Sequence, residues 1–233
     1  MSWRIEQADA LTVLRELPDR LAQTCIARPP REGAPGRTLA ILTEVQRVLR
    51  DDGTLWLLAS PAEQQLLVDL QAQGFKLQVT PEWATQLAAR GRPVAGLFLF
   101  SKQARYLYDA DTIGPRQRPL ASSCHLGCGR SRYLQRCAVA FAHERDLRLL
   151  RSCVLAASSP LACGQCGAPY RRRRPNERTP GIRRPTCQHN HPGGNCLVLD
   201  PFYTPTLPSA EAALRTGRNF LGIEDTANTR QAR

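Results

Sequence analysis

The sequence is short of lysine. Of its 32 basic residues only Lys76 and Lys102 are lysine, and the rest are arginine. No run of about 18 apolar residues occurs, which excludes a membrane-spanning helix of ordinary length. Met1 to Ala10 carries charges and no apolar h-region, which argues against a secretory signal and leads us to expect a cytoplasmic protein. Internal repeats are missing, so solenoids and propellers are not expected. Acids are scarce too, at 20 against 32 bases, and the net charge is +12. That surplus suits an anionic partner, nucleic acid first. Arginine presents a planar fork to phosphates and guanine edges, which lysine cannot do. Cysteine, in contrast, is plentiful. Nine cysteines in a cytosolic chain suit metal binding or buried thiols better than disulfides.

Apolar spacing then organises the 233 residues. Residues 3–8 predict a strand ending at Asp9, and Leu11, Leu14 and Leu17 recur at helical spacing until Pro18-Asp19. Thr24 to Ala27 predicts a short apolar strand halted by Arg28-Pro29-Pro30-Arg31. Leu39, Leu42, Val45 and Leu49 form one helix face, Asp52-Gly53 reads as a tight turn, and Thr54 to Ala59 as a strand. Ser60-Pro61 with Glu63 reads as a capping box, and Gly74 as the stop of the helix it opens. Strands follow at 75–79 and 96–100. Residues 112–136 read as an arginine-rich loop, and Leu147, Leu150 and Val154 mark a helix. After an irregular stretch at 163–196 come a strand to Asp200, a helix from Ala210 to Thr216 and a strand at 220–223. Strands alternating with helices predict an α/β layered fold around a largely parallel sheet.

Four stretches, in this order, resemble the permuted (beta-type) N6-adenine/N4-cytosine DNA methyltransferases. They are Asp9-Ala10-Leu11 through Pro18-Asp19 to Pro29-Pro30; Glu44 through Asp52-Gly53-Thr54-Leu55-Trp56; Leu97 to Lys102 with Arg105-Tyr106 and Tyr108-Asp109-Ala110; and Val198-Leu199-Asp200-Pro201-Phe202 through Gly217-Arg218 to Gly222-Ile223-Glu224. The resemblance implies a three-layer, Rossmann-like methyltransferase fold with about seven mostly parallel strands, formed by residues 1–233 as one domain. It implies a restriction–modification enzyme that transfers a methyl group from S-adenosylmethionine to the exocyclic amine of a flipped base.

The same resemblance exposes damage. Family members place Ser, Asp or Asn before two prolines and an aromatic, so that the polar group accepts from the target amine and the aromatic stacks on the base. Here the catalytic positions hold Arg28, Pro29, Pro30 and Arg31. Arginine has five donors and no acceptor, and its charge opposes the cation forming on the attacking nitrogen. Only seven residues separate Arg31 from Leu39, a short segment for a loop that closes over a base. The cofactor motif keeps Asp200, Pro201 and Phe202, but threonine fills both following glycine positions in Thr204-Pro205-Thr206-Leu207-Pro208. The two prolines fix φ and remove two donors, and Leu207 adds bulk. The resemblance gives Glu224 the ribose hydroxyls and Asp9 the adenine end of the cofactor. Both are kept as residual cofactor residues. The helix near 145–157 resembles the one covering the cofactor carboxylate, without its Phe-Pro lead-in.

Between residues 161 and 196 a basic insert carries Cys163-Gly164-Gln165-Cys166-Gly167, then Cys187 and His189. A Cys-x2-Cys pair followed by Cys-x-His predicts a zinc knuckle with ligands Cys163, Cys166, Cys187 and His189, His191 being the alternative fourth. Arg171, Arg172, Arg173 and Arg174, with Arg178, Arg183 and Arg184, would then form a phosphate-binding finger. Cys124, His125, Cys128 and Cys137 make a weaker second cluster. Cys25 and Cys153 read as core, and His143 as surface. The sequence thus reads as a DNA-binding protein of this family with impaired catalysis. An active site-specific enzyme, and a non-catalytic subunit partnered by a catalytic methyltransferase or by a second copy, are the alternatives.

Overall fold

Period-two alternation decides which face of each strand meets which helices. In a computed structural model of the chain, residues 2–30, 34–59, 63–78, 96–109, 134–172, 183–189 and 191–226 are described, the side chains of 134–145 and 172 apart. The elements run β1 (Trp3–Ala8), α1 (Ala10–Glu16), β2 (Ala22–Ala27), α2 (Pro35–Val48), β3 (Leu49–Ala59), α3 (Gln64–Ala72), β4 (Lys76–Gln78), β5 (Gly96–Ser101) and α4 (Leu134–Ala157). Then come β6 (Ala162–Cys163), β7 (Tyr170–Arg172), β8 (Arg183–Pro185), β9 (Pro192–Gly194), β10 (Leu197–Asp200), α5 (Ser209–Arg215) and β11 (Asn219–Asp225).

Seven strands form one sheet in the order β1-β11-β10-β2-β3-β5-β4. β1, β11, β10, β2 and β3 are mutually parallel, and β5 is antiparallel to both β3 and β4. The strands expected at 24–27, 54–59, 96–100, up to Asp200 and at 220–223 all lie in this sheet. The strand carrying Asp200 is late in the chain yet central in the sheet, and it pairs with β2 through Val198–Thr24 and Leu199–Cys25.

The alternation produces three layers. Cys25, Leu55, Leu57, Phe100, Leu199 and Leu221 point to one face, where they pack with Leu14 of α1, Ile41, Leu42 and Val45 of α2, and Leu70 of α3. Ile26, Val198 and Phe220 point the other way, to Leu147, Leu150 and Val154 of α4 and Ala212 and Ala213 of α5. Trp56, Leu97 and Leu99 continue that second face against Cys153, Ala156 and Ala157. The expected core cysteines, Cys25 and Cys153, are both fully buried.

Local chemistry sets the helix ends. Asp9 caps α1, accepting from the Thr12 N–H at 2.8 Å. Gly74 and Gly217 take φ of 97° and 75° at the ends of α3 and α5, where a side chain would be strained. Some expectations are corrected. Asp52-Gly53 is not a turn between elements but lies within β3, in a bulge where Ala22 pairs with Leu49 and Thr24 with Thr54. A side chain at Gly53 would meet the Arg50 carbonyl at 2.8 Å, so glycine is required by close approach and not by hairpin geometry. α4 begins at Leu134, inside the stretch read as loop. Ser60 lies outside the described residues, and Glu63 sits at the start of α3 without a capping side-chain bond. Within 163–196, four short strands form two small sheets, β6 with β9 and β7 with β8.

Because Leu199 and Leu55 face the same core, Leu199→Ala is expected to cost about 2–5 kcal/mol. It should lower the midpoint of the single thermal transition by about 2–4 °C per kcal/mol. A transition unmoved by Leu199→Ala would contradict the placement of β10 at the sheet centre.

Candidate functional site

In an open parallel sheet, ligands bind outside the carboxyl ends of the strands where the strand order reverses. Here the chain runs from β10 outward to β11 on one side and from β2 outward to β3 on the other, so the reversal lies between β10 and β2. Four sets of sequence-predicted residues reach this one edge because their strands are parallel. Arg28, Pro29 and Pro30 follow β2, Asp200, Pro201 and Phe202 end β10, Glu224 lies near the end of β11, and Asp9 follows β1. Arg31 lies outside the described residues.

The proline turn offers no side-chain acceptor at Arg28. Pro29 is buried and Arg28 is exposed to solvent. Beside it, Asp200 is fully buried, and its carboxylate accepts from Ser209 Oγ at 2.5 Å and from the Phe202 N–H at 3.1 Å. Burial lifts this carboxyl to about 7. Asp200 therefore ties its own loop to the start of α5. Past Phe202 the loop folds back on the sheet. The Tyr203 N–H donates to the Ile223 carbonyl at 3.0 Å, and Thr204 and Thr206 hydrogen-bond to each other. A Cβ at Gly222 would stand 2.9 Å from the Tyr203 ring, so glycine there lets Tyr203 lie across β11. Leu207 differs from expectation. It does not project into the edge but is buried against α4 and α5 with Leu147 and Leu150.

Two residues missed in the sequence dominate the other half of the edge. Arg37, in the first turn of α2, donates through Nη2 to Asp9 Oδ2 at 2.7 Å and to both oxygens of Asp225 at 2.9 and 3.0 Å. A cation in a helix's first turn opposes the helix dipole, and these two carboxylates offset that cost. Asp225 also accepts from the Ala10 N–H at 3.3 Å. The Arg37 guanidinium beside Asp9 holds that carboxyl below its ordinary value. Glu224 accepts from Gln7 Nε2 at 2.9 Å. The signal was present in the sequence: Asp225 directly follows Glu224, and Arg37 stands in the short segment after the proline turn.

The cysteine cluster assembles elsewhere. Ligand atoms of Cys163, Cys166, Cys187 and His189 lie within 4.8 Å of one another. In a tetrahedral zinc centre, thiolates at about 2.3 Å from the ion stand about 3.8 Å apart, so the group fits such an ion. Gly167, with φ of 68°, turns the chain so that its N–H reaches the Cys163 carbonyl at 2.8 Å. The Cys166 N–H first, and that of Gln165, hold the Cys163 thiol down to about 6. The His191 carbonyl accepts from the Gly164 N–H at 2.8 Å. Of the arginine finger, Arg171 is ion-paired to Asp52 at 3.0 Å. Arg173, Arg174 and Arg178, and the Arg172 side chain, lie outside the described residues. So do Cys124, His125 and Cys128 and the side chains of Cys137 and His143.

No family model matches the chain, and no curated protein matches it in sequence. Solved structures do. M1.HpyAVI is similar at 14% identity with a TM-score of 0.54, covering 98% of this chain and 95% of that one. TTHA0409 of Thermus thermophilus, a protein assigned to the DNA modification methylases and solved with S-adenosyl-L-methionine, is 15% identical with a TM-score of 0.53, covering 99% and 92%. The cytosine-N4-specific PvuII DNA methyltransferase is 13% identical with a TM-score of 0.56, covering 96% and 82%. The chain has the fold of DNA methyltransferases along nearly its whole length.

Asp200 yields a pH test. Its carboxyl is raised from 3.8 to about 7 in the folded chain. The stability linked to its proton is then fully present below about pH 4 and is lost as pH rises through about 7. Asp200→Asn should remove this dependence, so that the wild-type thermal midpoint falls relative to the variant's between about pH 5 and pH 8. Parallel midpoint curves over that range would show that Asp200 is not held as a buried, largely protonated acid.

Proposed function

We propose that this chain is a DNA-binding member of the DNA amino-methyltransferases, of N6-adenine or N4-cytosine type, in which methyl transfer is impaired or lost. The observation that carries this reading is the state of the sheet edge at the β10–β2 reversal. Several groups that the chemistry would need there are replaced or already engaged. Arg28 stands where an acceptor is required, Asp200 holds Ser209, and Arg37 neutralises Asp9 and Asp225 together.

S-adenosylmethionine is the cofactor this fold implies, and the residues present do not fit it well. Glu224, the residue expected at the ribose, already accepts from Gln7 through Oε2, and its neighbour Asp225 gives both of its oxygens to Arg37. The loop after Asp200-Pro201-Phe202 has threonine and proline where glycine would let a ligand approach the backbone. Isothermal titration with S-adenosylmethionine should therefore show no binding in the micromolar range. A low-micromolar dissociation constant would restore the reading of an active enzyme with unusual residues.

The residues of the knuckle do fit zinc: three thiolates and one imidazole gather around one point, and zinc would supply only structural ligation there, with no open position for catalysis. The charge surplus supports DNA as the partner. Arg116, Arg118, Arg130 and Arg132 in one stretch, and Arg172, Arg173, Arg174 and Arg178 in another, are accompanied by few acids. Each phosphate contact adds about 0.9 to the log–log salt slope of duplex binding. Replacing Arg172, Arg173 and Arg174 by Gln should flatten that slope by up to about 3 and weaken all sequences alike. Failure to retain duplex DNA even at low salt would reduce the net charge to compositional bias.

A further inference from the structure

The direction of the strands separates the two candidate sites. β2, β3 and β10 are parallel, and their carboxyl ends carry the proline turn and Asp200. The knuckle touches their opposite, amino ends. Arg50, the second residue of β3, donates from Nη1 to the Cys166 carbonyl at 2.8 Å. Two residues on, Asp52 binds Arg171 of β7 through Oδ2 at 3.0 Å. Its other oxygen, Oδ1, accepts from Nε2 of the fully buried Gln23 in β2 at 3.2 Å. At about 3.3 Å per residue, the run from Asp52 to Ala59 puts roughly 23 Å between the knuckle's contact at Asp52 and the carboxyl end of β3.

Among the described residues, the knuckle has almost no core of its own. Its buried apolar cluster is Cys163, Ala168 and Tyr170, with Cys166 and Cys187 packed against them. Three of those five residues are ligands. Such a unit cannot bury enough surface to order itself and needs another source of stability. Its contacts with the main sheet meet at the β3 bulge, which is itself crowded. The Asp52 carbonyl accepts from the Leu107 N–H at 2.9 Å and from Gln23 Nε2 at 3.3 Å, and Lys102 Nζ reaches the Leu49 carbonyl at 2.9 Å.

From these contacts we infer that the Cys163–Cys166–Cys187–His189 centre is a metal clasp for the amino-terminal ends of β2 and β3, remote from the edge where a base or cofactor would lie. The inference rests on the zinc reading above and assigns that site its role. With an ion bound, the Cys166 carbonyl and Arg171 are held in place to engage Arg50 and Asp52. Without it, the 163–167 turn loses its tie to 187–189, and the bulge loses two partners from the knuckle. The metal thus stabilises the whole sheet through four side chains: Arg50, Asp52, Arg171 and Gln23. It plays no part in substrate contact.

The test uses the full chain, with zinc as the probe. The purified, reduced protein should carry about one zinc ion, lost in the Cys163→Ser, Cys166→Ser double variant. Stripping the ion with a chelator should lower the midpoint of the global unfolding transition by at least about 5 °C, and re-adding zinc should restore it. Hydrogen exchange should accelerate on stripping at residues 20–25 and 49–55, while residues 26–30 and 197–203 change less. Arg50→Ala should keep about one zinc yet lose at least half of the metal-dependent midpoint shift, and Arg171→Gln a smaller part. If Arg50→Ala does not fold, exchange in the wild type decides alone. Zinc that is bound but whose removal leaves both the midpoint and the exchange at 49–55 unchanged overturns the clasp and spares the metal site. A folded, reduced chain without any zinc overturns both.

Discussion

Two backbone pairings, Val198 with Thr24 and Leu199 with Cys25, bind a late strand to an early one. They insert β10 beside β2 with both strands pointing the same way, and so place the Asp200 loop next to the Arg28–Pro30 turn. The buried Leu199 and Cys25 on one face and Val198 and Ile26 on the other hold this register, since a slip by one residue would exchange the two faces. The edge where the strand order reverses, the three layers and the separation of knuckle from edge all follow from it.

At that edge three carboxylates are engaged by groups of the protein itself. A ligand-binding rim needs unspent polar groups, yet here the carboxylates serve the protein itself. Asp9 caps α1 and meets Arg37, Asp225 meets Arg37 and the Ala10 N–H, and Asp200 ties Phe202 to Ser209. Because Asp9 follows the first strand and Asp225 ends the last, one guanidinium joins the two ends of the folded chain. Under the function proposed above, this is the arrangement expected when a site gives way to internal packing. Several other arginines behave alike: Arg20, Arg47, Arg50 and Arg171 are matched by Asp51, Asp19, Asp52 and Asp52 again. In the sequence, arginine with few neighbouring acids is concentrated at 116–132 and 172–178.

Much of this could be read from the sequence, for identifiable reasons. The buried strands are short apolar runs bounded by Asp, Pro or Gly, and their alternation leaves little choice of register. The gathering of Cys163, Cys166, Cys187 and His189 was legible because metal-ligand patterns restrict both residue type and spacing. Other features depend on contacts between distant residues that carry no local pattern. Arg37 lies 188 residues from Asp225, so neither announces the other. Asp52-Gly53 has the composition of a turn, and only its partners, Gln23, Leu107 and Arg171, show that it is a bulge inside a strand. Leu207 was misjudged because a loop residue gives no sign of which layer it enters. Arg171 looked like part of a free basic finger because its pairing with Asp52 spans 119 positions.

The account turns on whether a methyltransferase fold here binds DNA without methylating it. The most direct measurement gives the full chain duplex DNA and radiolabelled S-adenosylmethionine at low salt, and follows both retained DNA and transferred label. The account predicts that DNA is retained in a salt-dependent manner while label in the DNA stays at the level of a protein-free control. Label that rises in proportion to protein concentration and appears on adenine N6 or cytosine N4 would contradict it.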